Sequence, residues 1–409
     1  MHRNQDIPSL KRLRAFDMVA GTGSAMTASS RLRISQPAVC YSLDGLEAEL
    51  GVRLLERGTS GCFLTTSGEV FQRRTKRLFE QLSAAVEATT GMVPTETSLW
   101  KIRETQIRAL IAIARAGGFR AAAHALGIAE PSLQRPARDL ERLLRVSLYR
   151  RTASGFEVTG AGSELARRFS LAMGEVSSGI QEIDAIGASA RTHLRIGVLA
   201  LSSRTLLAEV SGALLAHQLR QKIEVIEGAW EQHAAALRQG SIDVIFGALR
   251  APSPFDDLRE EALYDDPYAL VCRASHPLLE KQHVTPADLA DYEFVLPTHG
   301  LPRRTVLDAL MEHWKIAPRA PVETSCLSTI VALLRTGDRI SLLSRWQVEL
   351  DGWSGLHCLD GINVPHQPRL VGLTTRAGWL PTPFQQEFLG LMRAAVMSGT
   401  ASRANKQIG

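Results

Sequence analysis

Residues 34–57 read ISQPAVCYSLDGLEAELGVRLLER, and residues 128–151 read IAEPSLQRPARDLERLLRVSLYRR. Set 94 positions apart without a gap, the two stretches coincide at their apolar and turn positions. Ile34 falls on Ile128, Pro37 on Pro131, Leu46-Glu47 on Leu140-Glu141, Leu50 on Leu144, and Val52 and Leu54 on Val146 and Leu148. The register continues outward, pairing Arg14 with Arg108, Ala28 with Ala122, Arg57 with Arg151, and Ser60-Gly61 with Ser154-Gly155. Thr65 meets Thr159, Gly68 meets Gly162, and Arg73-Arg74 meets Arg167-Arg168. One supersecondary unit is written twice.

In the first copy Phe16, Val19 and Ala20 recur at helical spacing until Gly21-Thr22-Gly23-Ser24 interrupts them. A short segment from Met26 to Leu32 follows. Ser35-Gln36-Pro37 then reads as a helix start: a serine can accept from a free first-turn N–H, and proline has no donor to waste there. The helix sets Val39, Leu43, Leu46 and Leu50 on one face and Pro37, Tyr41, Asp44 and Ala48 on the other, and Gly51 closes it. A helix, a tight turn and a second amphipathic helix with a solvated face make a helix-turn-helix. Beyond it, Arg53 to Arg57 leads into the turn Thr59-Ser60-Gly61-Cys62, which reads as a wing. Residues 68–88 form a long amphipathic helix with Phe71, Leu78, Leu82 and Val86 on one side and Arg73, Arg74, Lys76 and Arg77 on others.

Three segments, Ile34 to Val39, Leu46 to Arg57 and Leu64 to Glu69, together resemble the winged helix-turn-helix of LysR-type transcriptional regulators, over residues 8–88. The second copy, 102–187, is similar more loosely, through Ile128 to Leu133 and Leu140-Glu141. The resemblance implies contact with double-stranded promoter DNA through Ser35, Gln36, Pro37, Tyr41 and Arg57, and in the second copy through Arg135, Arg138 and Arg151. It also implies dimerisation by the long helices, giving a homodimer or homotetramer, with RNA polymerase as a further candidate partner. Such regulators usually carry one head, so the tandem departs from the pattern. Tyr41 stands where the family usually has arginine, and Asp44-Gly45 replace a basic pair. The second copy loses the Ser-Gln-Pro start to Ala129-Glu130-Pro131. Its Pro136 removes a helical hydrogen bond and clashes with the carbonyl four residues back, at a cost of about 3 kcal/mol or a kink. A bent or shortened second recognition helix is expected, either no longer a base reader or kept as dimerisation scaffold.

At 409 residues the chain has room for two to three domains. Residues 1–187 hold 25 Lys and Arg against 19 Asp and Glu, so the whole net excess of +5 lies on the repeated unit. That suits phosphate contacts, although a solvated surface would carry as much. Charges crowd residues 1–20, leaving no signal-peptide core, and no apolar run approaches a membrane span, so a cytoplasmic location is expected. Cys40, Cys62, Cys272, Cys326 and Cys358 show no metal spacing. Cys62 could be a redox switch, but a small half-buried side chain is the plainer reading.

Gly91 to Ser98 has linker composition, giving the boundaries 8–90, 91–101 for the linker, and 102–187. From Leu194 short apolar runs alternate with helices, which predicts an α/β domain with a mainly parallel sheet. Strands are expected at 194–199, 223–226 and 242–247, with helices at 203–219 and 230–238. A second sheet draws on Tyr292 to Leu296 and Ile340 to Leu343. Residues 369–374 return to the first, and a helix runs from Pro383 to Met397. Two sheets crossed twice imply two lobes with a hinge and a cleft. The fold class is therefore α/β overall, with two all-α winged helix-turn-helix units ahead of a two-lobed domain.

That domain, 193–398, resembles the effector-binding domain of the same family, itself similar to periplasmic binding proteins. The resemblance rests on Arg195-Ile196-Gly197, Leu237 to Asp243, Ser275 to Leu278 and Gly337 to Leu343. It places lobe I at about 193–268 and 366–398 and lobe II at about 269–365, and the sugar-acid and aromatic-catabolism branch looks nearest. Helix N-termini at a cleft suit a carboxylate. Candidates are Leu201, Ser202 and Ser203, then Thr298 and His299, then Ser325 and Ser328, with Trp230 after the second strand. Plain N-capping competes for the serines, core packing for Trp230, and a backbone hydrogen bond for His299. The family often offers an arginine directly after the third strand; here Ala248-Leu249 intervene before Arg250.

No dinucleotide loop, nucleophile elbow, Walker sequence or HExxH occurs, so neither an enzyme nor a cofactor or metal is expected. The resemblance implies a regulator of a bacterial metabolic operon that senses a small organic acid, ligand-driven lobe closure altering the spacing of the heads. The alternative is a solute sensor whose heads only dimerise. Whether it activates or represses is open.

Overall fold

The computed structural model describes residues 7–58, 61–153, 155–186, 192–216, 221–250, 253–350, 353–360, 362 and 369–404. It divides into a unit holding both copies of the repeat, essentially residues up to Thr192, and a second unit from His193 onward.

The first copy folds as α1 (Leu10–Thr22), α2 (Ala25–Leu32), α3 (Gln36–Leu50), a wing of β1 (Leu55–Gly58) and β2 (Gly61–Leu64), and the long α4 (Thr66–Thr90). Ser9, Ser24, Ser35 and Thr65 each stand in extended backbone and accept a hydrogen bond from a first-turn N–H, which fixes all four starts. Gly23 and Gly51, both at positive φ, end α1 and α3. Thr59 and Ser60 of the turn lie outside the described residues, but β1 and β2 pair antiparallel, as a wing requires.

A one-turn helix α5 (Glu96–Leu99) precedes the second copy: α6 (Glu104–Ala116), α7 (Phe119–Leu126), α8 (Glu130–Leu144), β3 (Tyr149–Thr152), β4 (Gly155–Val158) and α9 (Gly160–Ile186). Residues 91–101 are thus not a plain tether. Ser154, at the second wing turn, lies outside the described residues.

The positions shared by the two copies do the same physical work. One oxygen of Glu47 accepts from the N–H groups of Leu54 and Leu55, and Glu141 accepts from those of Leu148 and Tyr149, so each recognition helix holds the start of its own wing. Thr65 donates to the Arg53 carbonyl while capping α4, and Thr159 donates to the Ser147 carbonyl in the same place. A Cβ on Gly68 or Gly162 would fall 2.0 or 2.4 Å from the carbonyl oxygen of Leu54 or Leu148, which only glycine avoids.

The apolar side of α4 packs along α9 in antiparallel register. Arg74, which the spacing set off the apolar side, is nonetheless buried in that seam at 1% exposure. Its guanidinium donates to Glu175 at 2.7 Å and is paired with Glu182, and Glu175 also takes Arg77 at 3.0 Å and Gln81 at 2.9 Å. A buried cation is tolerated only where acids meet it; both acids come from the other copy.

The second unit contains β5 (His193–Val198), α10 (Arg204–Leu215), β6 (Lys222–Glu227), α11 (Trp230–Arg238), β7 (Val244–Ala248), β8 (Leu258–Asp265) and β9 (Tyr268–Arg273). After a 3-10 turn at Pro277–Glu280 come α12 (Pro286–Ala290), β10 (Glu293–Leu296), α13 (Pro302–Trp314), β11 (Val322–Glu323), α14 (Leu327–Arg335), β12 (Arg339–Ser344) and α15 (Arg345–Leu350). It ends with β13 (Leu356–Cys358), β14 (Leu370–Arg376) and α16 (Pro383–Ala404).

One sheet has the order β6-β5-β7-β14-β8 and the other β11-β10-β12-β9-β13. Each is mainly parallel, with a single reversed strand, β14 in the first and β9 in the second. β5 and β7 run parallel, but β14 pairs antiparallel with both β7 and β8; β10 pairs parallel with β11 and β12, while β9 runs antiparallel to β12 and β13. The strands that reverse direction flank the two crossings between lobes, where the chain enters one sheet from the end it left the other. Each lobe has its own apolar core. No described helix is long and apolar enough to cross a membrane.

Candidate functional site

On α3 the buried set is Val39, Ser42, Leu43 and Leu46. Gln36, Pro37, Tyr41, Asp44 and Ala48 are exposed, with Tyr41 at 75%. The solvated face is the expected one, and its hydroxyl and amide groups are of the kind that read base edges. Ser35 is the cap, its hydroxyl accepting from the Ala38 N–H at 3.4 Å. Asp44 takes the wing's Arg57 at 2.7 Å, and Glu47 stands 3.6 Å from the same nitrogen. Arg57 is therefore held by the recognition helix it was expected to accompany.

In the second copy α8 spans 15 residues, as α3 does, so the expected shortening does not occur. Pro136 lies inside it, and buried Leu133, Ala137, Leu140 and Leu144 hold the helix through the missing bond. Arg135 and Arg151 are exposed, with no carboxylate partner among the described residues. Arg138 is not outward. It is half-buried, bonded to Glu141 at 2.6 Å and laid 4.5 Å from the Phe156 ring centre and 5.4 Å from that of Tyr149, so the wing aromatics absorb it.

In the second unit the α10 start is capped and bonded within the chain. Ser203 caps the helix through the Leu206 N–H, and buried Ser202 donates its hydroxyl to the Phe246 carbonyl at 3.1 Å. The carbonyls of Ala200 and Ser202 accept from the Gln347 amide, and that of Leu201 accepts from Arg369 at 2.8 Å. Through these bonds the residues tie the lobes at the crossings. Trp230 begins α11, stacked 5.9 Å from Phe255 with Arg250 5.5 Å from its ring, inside an apolar cluster. Its indole N–H has no partner among the described residues.

At the crossings Asp266 is fully buried, accepting from Ser344 at 2.6 Å and paired with Arg369 at 2.6 Å. Beside them lies a residue the sequence reading missed. Arg303, at 5% exposure near the start of α13, has as its hydrogen-bond partner the Leu342 carbonyl, 3.0 Å away, and no carboxylate within ion-pair distance among the described residues. Burial draws its pKa down to about 10, and the neighbouring Arg369 pushes the same way. The signal was present in the sequence: Pro302-Arg303-Arg304 puts two cations at a helix N-terminus, where the backbone dipole opposes them. Arg304 is offset by Asp308 and Glu323; Arg303 is not. The α13 start also has no side-chain cap. Thr298, half-buried, and His299, exposed, lie on the loop leading into it.

The third start, at α14, is likewise uncapped by a side-chain hydrogen bond, and Ser325 and Ser328 are exposed there. Cys326 between them meets the Ser328 hydroxyl at 3.2 Å, which holds its thiol down at about 7. Burial pushes Cys272 up to about 12 and Cys358 up to about 11. A thiol alkylating agent on the folded chain should therefore modify Cys326 ahead of those two, with a rate that rises to a plateau near pH 8. Peptide mass mapping checks this; Cys272 or Cys358 reacting first would refute the assignment.

Comparison with known proteins matches both units. Residues 187–397 match the LysR substrate binding domain. Residues 10–69 and again 105–163 match the bacterial regulatory helix-turn-helix protein, lysR family. The HTH-type transcriptional regulator GalR of Pseudomonas putida is 26% identical over 392 residues, covering 96% of this chain and 98% of that protein, so the alignment runs through both copies of the repeat. PcaQ of Agrobacterium fabrum is 26% identical over 287 residues, 69% of this chain and 91% of that one. A full-length OxyR variant from Pseudomonas aeruginosa, with aspartate in place of one cysteine, shares the fold at a TM-score of 0.51 and 21% identity, over 71% of this chain and 93% of that one. With its substrate-binding domain matched over more than half its length and its helix-turn-helix matched twice, the chain belongs to the LysR family of bacterial transcriptional regulators.

Proposed function

We propose that this DNA-binding, ligand-responsive regulator senses a small organic acid between the lobes of residues 193–398 and controls a metabolic operon. Arg303 carries the reading. A buried guanidinium without a carboxylate is costly, and an anionic ligand would relieve that cost. At the uncapped start of α13, where Pro302 has no N–H and Arg304 and Thr305 already donate to the Leu301 carbonyl, the Arg303 N–H and a partial positive charge remain, and Thr298 on the loop before it adds a hydroxyl. Because Arg303 stands next to both crossings, an acid bound there favours one lobe arrangement over the other through unequal affinity.

Arg303→Met tests this. Affinity for the best ligand in a panel of small mono- and dicarboxylates, measured by calorimetry, should fall roughly 10- to 100-fold, as loss of a charge-assisted hydrogen bond requires. The unfolding midpoint should hold or rise, because a buried unpaired cation has been replaced by a side chain of similar length. Unchanged carboxylate affinity would remove Arg303 from the site, and binding confined to neutral ligands would remove the organic acid.

A further inference from the structure

The seam between α4 and α9 sets how the two heads are presented to DNA. Arg74 meets Glu175 and Glu182, and Gln81 meets Glu175, so residue numbers rise along one helix as they fall along the other. The contacts around the heads are reciprocal. Arg14 donates to the carbonyls of Leu99, Trp100 and Ile102 at the entrance to the second copy. Its counterpart Arg108 donates to the Ile7 carbonyl at the entrance to the first. This is the exchange an isologous two-fold interface makes between two subunits, here made by one chain with itself.

The seam is also selective. In the repeat register Glu175 corresponds to Gln81, and Glu182 to Ala88. Two α4 helices from separate chains, packed the same way, would bury each Arg74 against an amide and a methyl group. That leaves an uncompensated cation twice. α4 therefore takes α9 and rejects a second α4.

Antiparallel pairing of a 25-residue helix with a 27-residue one places their N-terminal ends, and the wings that precede them, at opposite ends of the seam. At 1.5 Å per residue the separation is roughly 37 Å, close to the 34–36 Å of about one turn of B-DNA. The two ends differ in chemistry. Gln36 and Tyr41 lie open on α3, whereas α8 begins with Ala129-Glu130, has Arg138 folded onto its wing, and leaves Arg135 and Arg151 exposed.

We infer that a single chain spans two successive major grooves as a two-headed clamp, the first head reading bases and the second gripping the backbone about one turn away. The operator element for one chain is then one specific half-site with a loosely specified flank, not a palindrome. This rests on the DNA-binding reading and adds to it the pairing of unlike heads.

The test uses the full chain on an operator recovered by genome-wide mapping of bound DNA. Hydroxyl-radical footprinting should show two protected patches about one turn apart. Single base-pair changes should lower affinity about 10- to 100-fold in one patch and less than about threefold in the other. Gln36→Ala should flatten base preference in the sensitive patch only. Arg135→Ala should weaken all sequences about equally, lower the salt slope by about 1 and lose protection in the other patch. Equal base sensitivity in both patches, lost from both on Gln36→Ala, would mean two first heads from two chains and would overturn the clamp while leaving DNA binding intact. Failure to bind any duplex at low salt would instead overturn the DNA-binding reading, and the clamp with it.

Discussion

A promoter duplex held by the full chain is expected to lose about 10³- to 10⁵-fold of its affinity between about 50 and 200 mM salt, the loss that goes with some six to ten phosphate contacts. The first head exposes Arg31, Arg33 and Arg53, and the second exposes Arg120, Arg135 and Arg151, none with a carboxylate partner among the described residues. Those arginines can displace counterions without first breaking an ion pair. Arg57 cannot, since Asp44 already holds it. Asp44→Ala should therefore tighten binding at low salt and steepen the salt slope by about 1. Fluorescence anisotropy titrations across a salt series measure both. A flat dependence of binding on salt would contradict the electrostatic footing, and an unchanged slope in Asp44→Ala would mean that Arg57 is not released to DNA.

The second large effect concerns folding. Arg74→Ala strips the buried seam of its cation and leaves Glu175 and Glu182, both on α9, facing α4, with Arg77 and Gln81 to answer Glu175 alone. Removing one partner of a buried pair costs about 3–5 kcal/mol, a large fraction of a typical domain's stability. The repeat supplies its own control. Arg168, which corresponds to Arg74, is partly exposed and bonds Glu164 on its own helix at 2.7 Å. Arg168→Ala should cost less than about 1 kcal/mol. Urea unfolding of the two variants side by side decides the matter; equal losses would show that the seam does not depend on Arg74.

Much of the DNA-binding half could be read from the sequence because its determinants are local. A serine before a proline, a glycine at a helix end and apolar residues at helical spacing each act within one turn, and Ser35, Gly51 and the face of Pro37, Tyr41, Asp44 and Ala48 lie as the spacing implied. What was missed depends on partners distant in the chain. The burial of Arg74 could not be read because its acids stand about 100 positions away. Arg138 looked like a base reader because nothing nearby announced the aromatic wing beneath it. The mainly parallel sheets were legible, but not their reversed strands β9 and β14, each of which follows a crossing between lobes that alternation of strand and helix does not record. In the effector domain the helix starts were found, but what occupies them was not: Ser202 and Ser203 bond within the chain, while α13 and α14 both start without a side-chain cap.

In an ordinary symmetric dimer every substitution in a head is made twice, so a change that suits one half of the operator must be tolerated at the other. Joining two unlike copies through α4 and α9 lifts that constraint. Tyr41 answers to Arg135 across the repeat, both of them exposed, and Gln36 to Glu130, so the two heads already differ on the outer faces of their second helices. Each can go on changing singly, and a promoter can gain or lose one half of its site without forfeiting the other. Duplication here frees a regulator to follow its targets one half-site at a time.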